Sequence, residues 1–354
     1  MLKTLALFVL LLLLAAGAGS YVLYARIDAP YKSYEGESQE VEIPSGVGTR
    51  AIGRLLVDAG VLPDDLTYRA ALWLSGDARR LKAGQYRFDR PMSPRDVLGK
   101  IARGEVDLVN ITFREGLTIG EMATLFEAQG LGSASAFTSA ASDASLIADL
   151  DPTATDLEGY LFPETYAVSR HVEATQLVRA MVDRFTKVLT ADMREAATAR
   201  QLTLRQLVTL ASIVEKETGA ASERPTVAAV YANRLRIGMG LQCDPTVIYA
   251  LQRAGKFDGN LRRDDLAFDS PYNTYRYPGL PPGPIAAPGR GALEAAAHPA
   301  EVDYLYFVSR NDGTHAFAKS LDEHNRNVQK FQVQYFREKR IAERRREQAA
   351  QVGR

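Results

Sequence analysis

The chain has 354 residues with 43 Lys and Arg against 43 Asp and Glu, so its formal charge is zero and no global basic field points to nucleic acid. Its length allows two domains, each with its own core, and its charge balance suits a neutral polymer or a peptide as partner. The single Cys243 excludes an internal disulfide framework. Four scattered histidines, His171, His298, His315 and His324, form no zinc-ligand pattern, so neither a metal nor a cofactor is expected.

From Leu5 to Tyr24 the chain runs without a charge between Lys3 and Arg26, which is enough to cross a hydrocarbon layer as a helix. The small residues from Ala15 to Ser20 resemble a cleavage site. Apolar character resumes at Tyr21, Val22, Leu23 and Tyr24, which favours an uncleaved anchor over residues 1–26. No cysteine follows at a lipidation position. So short an amino terminus most easily stays in the cytoplasm, leaving the rest on the outer face of the membrane.

A polar stalk (27–40) leads to a small module over residues 41–110. Here "VEIP" reads as a strand, "GTRAIGRLLVDAG" and "LTYRAALWLSG" as amphipathic helices that each end at glycine, and "LKAGQYRF" as a second strand. "SPRDVLGKIARG" adds a helix and "VDLVNITF" a strand. The order strand, helix, helix, strand resembles a LysM-like glycan-binding module; a structural spacer has the same order. Next, Thr118 and Glu121 predict a capping box. The Ala- and Ser-rich stretch 132–156 predicts a short helix between loops, and "LEGYLFPETY" a packed turn that could also wall a sugar cleft.

In "LASIVEKETG" the apolar spacing predicts a helix ending just after Glu217, with Gly219 as a left-handed stop. Glu215 and Glu217 then lie about 160° apart around the axis, so they cannot form a carboxylate pair. The helix dipole disfavours charge on both, more on Glu217. On this ground alone either glutamate is a candidate acid, although helix-end carboxylates are usually just solvated. Ser222 with Pro225 predicts the cap of a second helix, "ERPTVAAVYANRLRIG", forming a hairpin with the first. The loop "SPYNTYRYPGLPPGPIAAPG" supplies tyrosine faces and amides suited to carbohydrate, and also the means to pack itself. "VDYLYFVSRNDGTHAF" predicts a strand and turn, and residues 331–354 a basic helical tail.

"ASIVEKET", "SERPTVAAVYANRLRIGMGLQCDPTVIYAL", "YNTYRYPGLPPGPIAAPG", "ALEAAAHPAEVDYLYFV" and "HAFAKSLDEHN", in this order, closely resemble the endolytic murein transglycosylase (YceG-like) family. The match is strong from about Leu157 to Val328, and the anchor and LysM-like module fit the family's layout. The resemblance implies an α+β fold with a catalytic domain at 111–330 and Glu217, the second glutamate of the motif, as the catalytic residue. It further implies cleavage of peptidoglycan glycan strands between MurNAc and GlcNAc with 1,6-anhydroMurNAc ends, a role in ending strand elongation, and penicillin-binding cell-wall synthases as partners. Substrate groups are expected near Gln242, Asp244, Asn273 and Tyr275. Cys243 stands where relatives often have threonine. The rival reading is a non-catalytic peptidoglycan-binding scaffold; a penicillin-binding acyl-enzyme is disfavoured because the chain has no S-x-x-K.

Overall fold

The structure, a computed structural model, describes residues 2–341 and 343, with side chains from residue 7 onward. It is a mixed α and β chain with one N-terminal helix, α1 (Leu2–Asp28), long and apolar enough to cross a membrane. Two compact units follow from the contacts. The first runs to Asn110 and takes back Ala167–His171; the second holds Ile111–Tyr166 and the chain from Val172 onward.

In the first unit β1 (Gln39–Ile43) pairs antiparallel with β2 (Gly84–Phe88), from Gln39 opposite Phe88 to Ile43 opposite Gly84. Between them lie α2 (Thr49–Asp58) and α3 (Asp65–Ser75), and α4 (Pro94–Arg103) follows, capped by Ser93. Alternation along the strands turns Val41, Ile43, Tyr86 and Phe88 inward onto Ile52, Leu56, Tyr68, Val97 and Ile101. Ile27 at the end of α1 is buried in the same core. Gly53 is required where α2 meets α3, because a Cβ there would stand 2.4 Å from the Tyr68 ring. The division between units falls inside β3 (Leu108–Thr112) and β4 (Thr165–Ser169), which pair with each other.

In the second unit α5 (Ile119–Ala128) opens with the predicted capping box of Thr118 and Glu121, and α6 (Ala134–Ala141) is the short helix of the Ala/Ser stretch. "LEGYLFPETY" is a packed turn: the buried Tyr160 donates to Asp151 at 2.6 Å and meets Phe185 edge-on at 5.3 Å. Helices α7 (Ala174–Val188) and α8 (Ala191–Ala199) come next. Then α9 (Leu204–Glu217), capped by Thr203 and Gln206, buries every residue from Leu207 to Val214. It packs on α10 (Arg224–Arg236) and on α12 (Arg290–Ala297), with α11 (Asp244–Arg253) between these two in sequence. The hairpin β5 (Tyr306–Ser309) and β6 (His315–Ala318) turns through Asn311 and Gly313, both with positive φ. After α13 (Leu321–Val328) comes a π-helix at Gln329–Gln334. The predicted basic tail continues as helix to 341; residues 342 and 344–354 lie outside the described residues.

Two local expectations are corrected. Helix α9 does not stop on a left-handed Gly219; it ends because Thr218 turns into extended backbone at φ −136° and ψ 128°. Ser222 does not cap α10. It lies in a 3-10 turn, Ala221–Glu223, and Glu223 takes the cap position with no side-chain cap bond. The Glu223 carboxylate is engaged elsewhere, accepting the His315 backbone N–H at 2.9 Å and pairing with His315 Nδ1 at 2.7 Å.

Candidate active site

Glu215 and Glu217 stand in different surroundings. The Glu215 side chain is 6% exposed and fully engaged: Oε1 accepts from Arg224 Nη2 at 2.9 Å and Oε2 from the Gly289 N–H at 2.9 Å. Arg224 also binds Glu115 at 3.1 Å. This cluster ties α9 to the start of α10 and to the turn before α12. Burial raises the Glu215 pKa, and the Gly289 N–H pulls it back.

Glu217, the last residue of α9, keeps partial solvent access. The Tyr231 hydroxyl, from α10, donates to its Oε1 at 2.6 Å. Burial is the main cause that raises the Glu217 pKa; hydrogen bonds from Tyr231 and from the Cys243 thiol pull it back, and the Asp244 charge pushes it up again. The direction expected from the helix dipole is present, but desolvation leads it. Tyr231 and Cys243 are themselves buried, and burial pushes both far above their usual values, so each remains a proton donor to Glu217.

The wall behind Tyr231 is aromatic. Its ring meets Phe307 of β5 edge-on at 5.9 Å, and Phe307 meets His315 of β6 at 5.3 Å. The His315 to Glu223 bonds described above lock this hairpin to the start of α10. Arg234 adds a second tie, donating to the carbonyls of Leu305 at 2.7 Å and Leu241 at 2.6 Å.

The four residues expected to meet substrate fall into two groups. Asp244 and Tyr275 are both at the surface, and the Tyr275 hydroxyl donates to Asp244 at 2.6 Å. Burial and this carboxylate raise the Tyr275 pKa, and the Glu217 charge adds to the rise. Gln242 is exposed, with a left-handed backbone at φ 49° that a non-glycine residue seldom adopts. Asn273, by contrast, is fully buried. Its amide donates to the carbonyls of Leu266 at 3.0 Å and Phe268 at 2.7 Å, and its oxygen accepts the Tyr275 N–H at 3.0 Å. Asn273 therefore braces the loop that presents Tyr275. Next to it, the Thr274 hydroxyl accepts the Cys243 N–H at 3.0 Å and pins the loop to α11.

Residue-level reading missed Tyr231, Phe307 and His315 as parts of this site. Tyr231 lies inside a quoted motif, yet its contact with Glu217 crosses from one helix to the next and leaves no local periodic sign. Glu158, read only as part of a turn, is buried; it accepts the Ile119 N–H at 3.2 Å and the Tyr249 hydroxyl at 3.2 Å, beside a cavity of 320 Å³. Burial and the nearby Asp156 push its pKa up to about 8.

A single carboxyl kept partly desolvated, and held by the Tyr231 hydroxyl, defines a site that can give a proton and take one back. The chain belongs to the YceG-like family, whose profile matches residues 41–330. An endolytic murein transglycosylase of Bacillus subtilis (strain 168) is 31% identical over 332 residues, 88% of this chain and 90% of the relative. One of Streptococcus pneumoniae serotype 2 is 32% identical over 355 residues, 90% of this chain and 63% of the relative. Curated relatives of this name are lyases acting on peptidoglycan. The crystal structure of a putative yceG-like protein from Listeria monocytogenes is similar with a TM-score of 0.55 at 31% identity, covering 82% of this chain and 98% of that one.

Proposed function

We propose that this chain is an endolytic murein transglycosylase that cleaves peptidoglycan glycan strands between MurNAc and GlcNAc, with Glu217 as both acid and base. The observation that carries this is the 2.6 Å bond from Tyr231 to Glu217 Oε1, in a chain whose relatives bear that name. With Oε1 accepting from Tyr231, the other oxygen, Oε2, carries the proton. Glu217 donates it to the glycosidic oxygen as the bond from C1 to that oxygen breaks. The C6 hydroxyl of the same muramic sugar then attacks C1, and its proton passes to the Glu217 carboxylate. One acid form is regenerated and no water is consumed.

A glycoside hydrolase generally needs two carboxyl groups, the second to activate water or to attack carbon. Here the nucleophile is already part of the sugar, so proximity replaces that second group. The raised pKa favours the protonated form of Glu217 before the step, and the Tyr231 bond stabilises the carboxylate after it. Asp244, Tyr275 and Gln242 would meet the sugar's N-acetyl and peptide groups, while Asn273 holds the loop. Digestion of purified glycan strands tests this reading through the chemistry of the new ends.

The same reading extends to the rest of the chain. Helix α1 would anchor it in the inner membrane with a cytoplasmic amino terminus, which the length of the uncharged run supports. The β1, α2, α3, β2 order supports a LysM-like module for glycan. Cleavage next to the membrane would end elongation of nascent strands beside penicillin-binding synthases.

A further inference from the structure

The end of α1 is built into the first unit. Ile27 is buried there, Asp28 accepts Arg95 Nε of α4 at 2.6 Å, and Arg26 pairs at 3.6 Å with Asp64, the residue that caps α3. Helix α3 therefore starts within one ion pair of the point where the uncharged run of α1 ends, and it packs against α1. Its inner face is Thr67, Tyr68 and Ala71. Its outer face carries two large apolar side chains, Leu66 at 58% exposed and Trp73 at 81%, beside the exposed ion pair of Arg69 with Asp65 at 3.7 Å. These two lie about 20° apart around the axis, with Arg69 about 40° from Trp73. Tyr21 and Tyr24, near the end of the uncharged run on α1, are also exposed.

An exposed tryptophan and leucine flanking an arginine, on a helix that starts next to the exit of an apolar helix bearing two exposed tyrosines, is the residue set of a membrane–water boundary. We propose that the outer face of α3 lies in the headgroup layer of the same bilayer that α1 enters, with the Trp73 indole as its anchor and Arg69 reaching to lipid phosphate. This rests on the reading of α1 as a membrane anchor. A glycan is the weaker occupant, because Trp73 stands on the outside of a helix, whereas sugars are held in grooves, and a cavity in this unit opens elsewhere, at Pro30, Met92 and Lys100. The layer available is thin, about 5 to 8 Å per leaflet, so α3 must run close to the membrane plane. The first unit is thereby fixed in tilt as well as tethered.

Trp73 is the only tryptophan, so intrinsic fluorescence reads this one position. The full chain is placed in vesicles of phosphatidylglycerol and phosphatidylcholine, the latter brominated either near the glycerol end or near the chain end of its acyl groups. The expected result is flotation with the vesicles, blue-shifted emission, loss of most emission with shallow bromines, little loss with deep ones, and little quenching by iodide. A chain that floats but keeps the emission of water-exposed indole, quenched by iodide and untouched by bromine, overturns the proposal and leaves the anchor standing. Quenching by added glycan strands in place of lipid assigns the face to glycan and overturns it too. Failure to float removes the anchor and the proposal together.

Discussion

The Tyr231 hydroxyl donates across 2.6 Å to Oε1 of Glu217, joining α10 to the last residue of α9. This bond lowers the Glu217 pKa against the push of burial. Tyr231→Phe removes a stabiliser of the charged form, so the pKa rises further. On the proposal that Glu217 works first as an acid, activity is lost as pH rises through that pKa, and the alkaline limb of the rate profile moves to higher pH. The maximal rate should fall about 10- to 100-fold, the worth of one hydrogen bond to a charged group. A full pH profile of both enzymes checks this; a drop in rate with the limb unmoved would leave Tyr231 a merely structural role.

Glu215→Gln separates the ion-pair cluster from the site. It leaves Arg224, 14% exposed, with Glu115 as its remaining carboxylate. Stability should fall by about 1 to 3 kcal/mol in urea unfolding. The rate per folded molecule should stay within a few-fold of the wild type.

Glu158 gives the fold a pH dependence of known sign. Its pKa lies near 8 in the folded chain against 4.5 ordinarily, so the native state holds a proton that the unfolded chain has lost. The stability this gives is full below 4.5 and is lost as pH rises through about 8. Glu158→Gln keeps an oxygen for the Ile119 N–H and carries no charge. It should flatten the loss between pH 5 and 8, raising the urea midpoint at pH 8 relative to wild type by the equivalent of roughly 1 to 3 kcal/mol. Equal effects at both pH values would show that Glu158 is not the group responsible.

How much of this was legible in the sequence depends on range. Caps and glycine stops set the ends of α2 to α5 to within a residue or two, because Ser93, Thr118 and Gly76 act on neighbouring backbone. Helix α7 is legible on the same ground, since Leu177, Val178, Met181, Val182 and Phe185 carry helical spacing. The stop of α9 was misassigned to Gly219, since glycine permits a left-handed turn without requiring one. Helical periodicity also put Glu215 and Glu217 on different flanks, but not which of them met Arg224 and which met Tyr231. Those partners come from α10, and only packing brings them in. The same holds for Asn273, whose amide reads as a ligand donor until its three loop partners are seen.

The uncharged run of α1 should hold the full-length chain in the membrane fraction through a carbonate wash. Release of the intact chain, or an amino-terminal sequence beginning near Ser20, would show a cleaved leader instead.

The most direct measurement is the mass of products released from uncrosslinked glycan strands by the wild type, Glu217→Gln and Glu215→Gln side by side. Glutamine keeps the shape and most hydrogen bonding of glutamate but has no proton to transfer. The wild type should yield muramic ends lighter by one water than hydrolytic ends, Glu215→Gln the same ends at a comparable rate, and Glu217→Gln several orders of magnitude less product with the fold intact. Reducing muramic ends from the wild type, or an active Glu217→Gln beside an inactive but folded Glu215→Gln, would contradict the account.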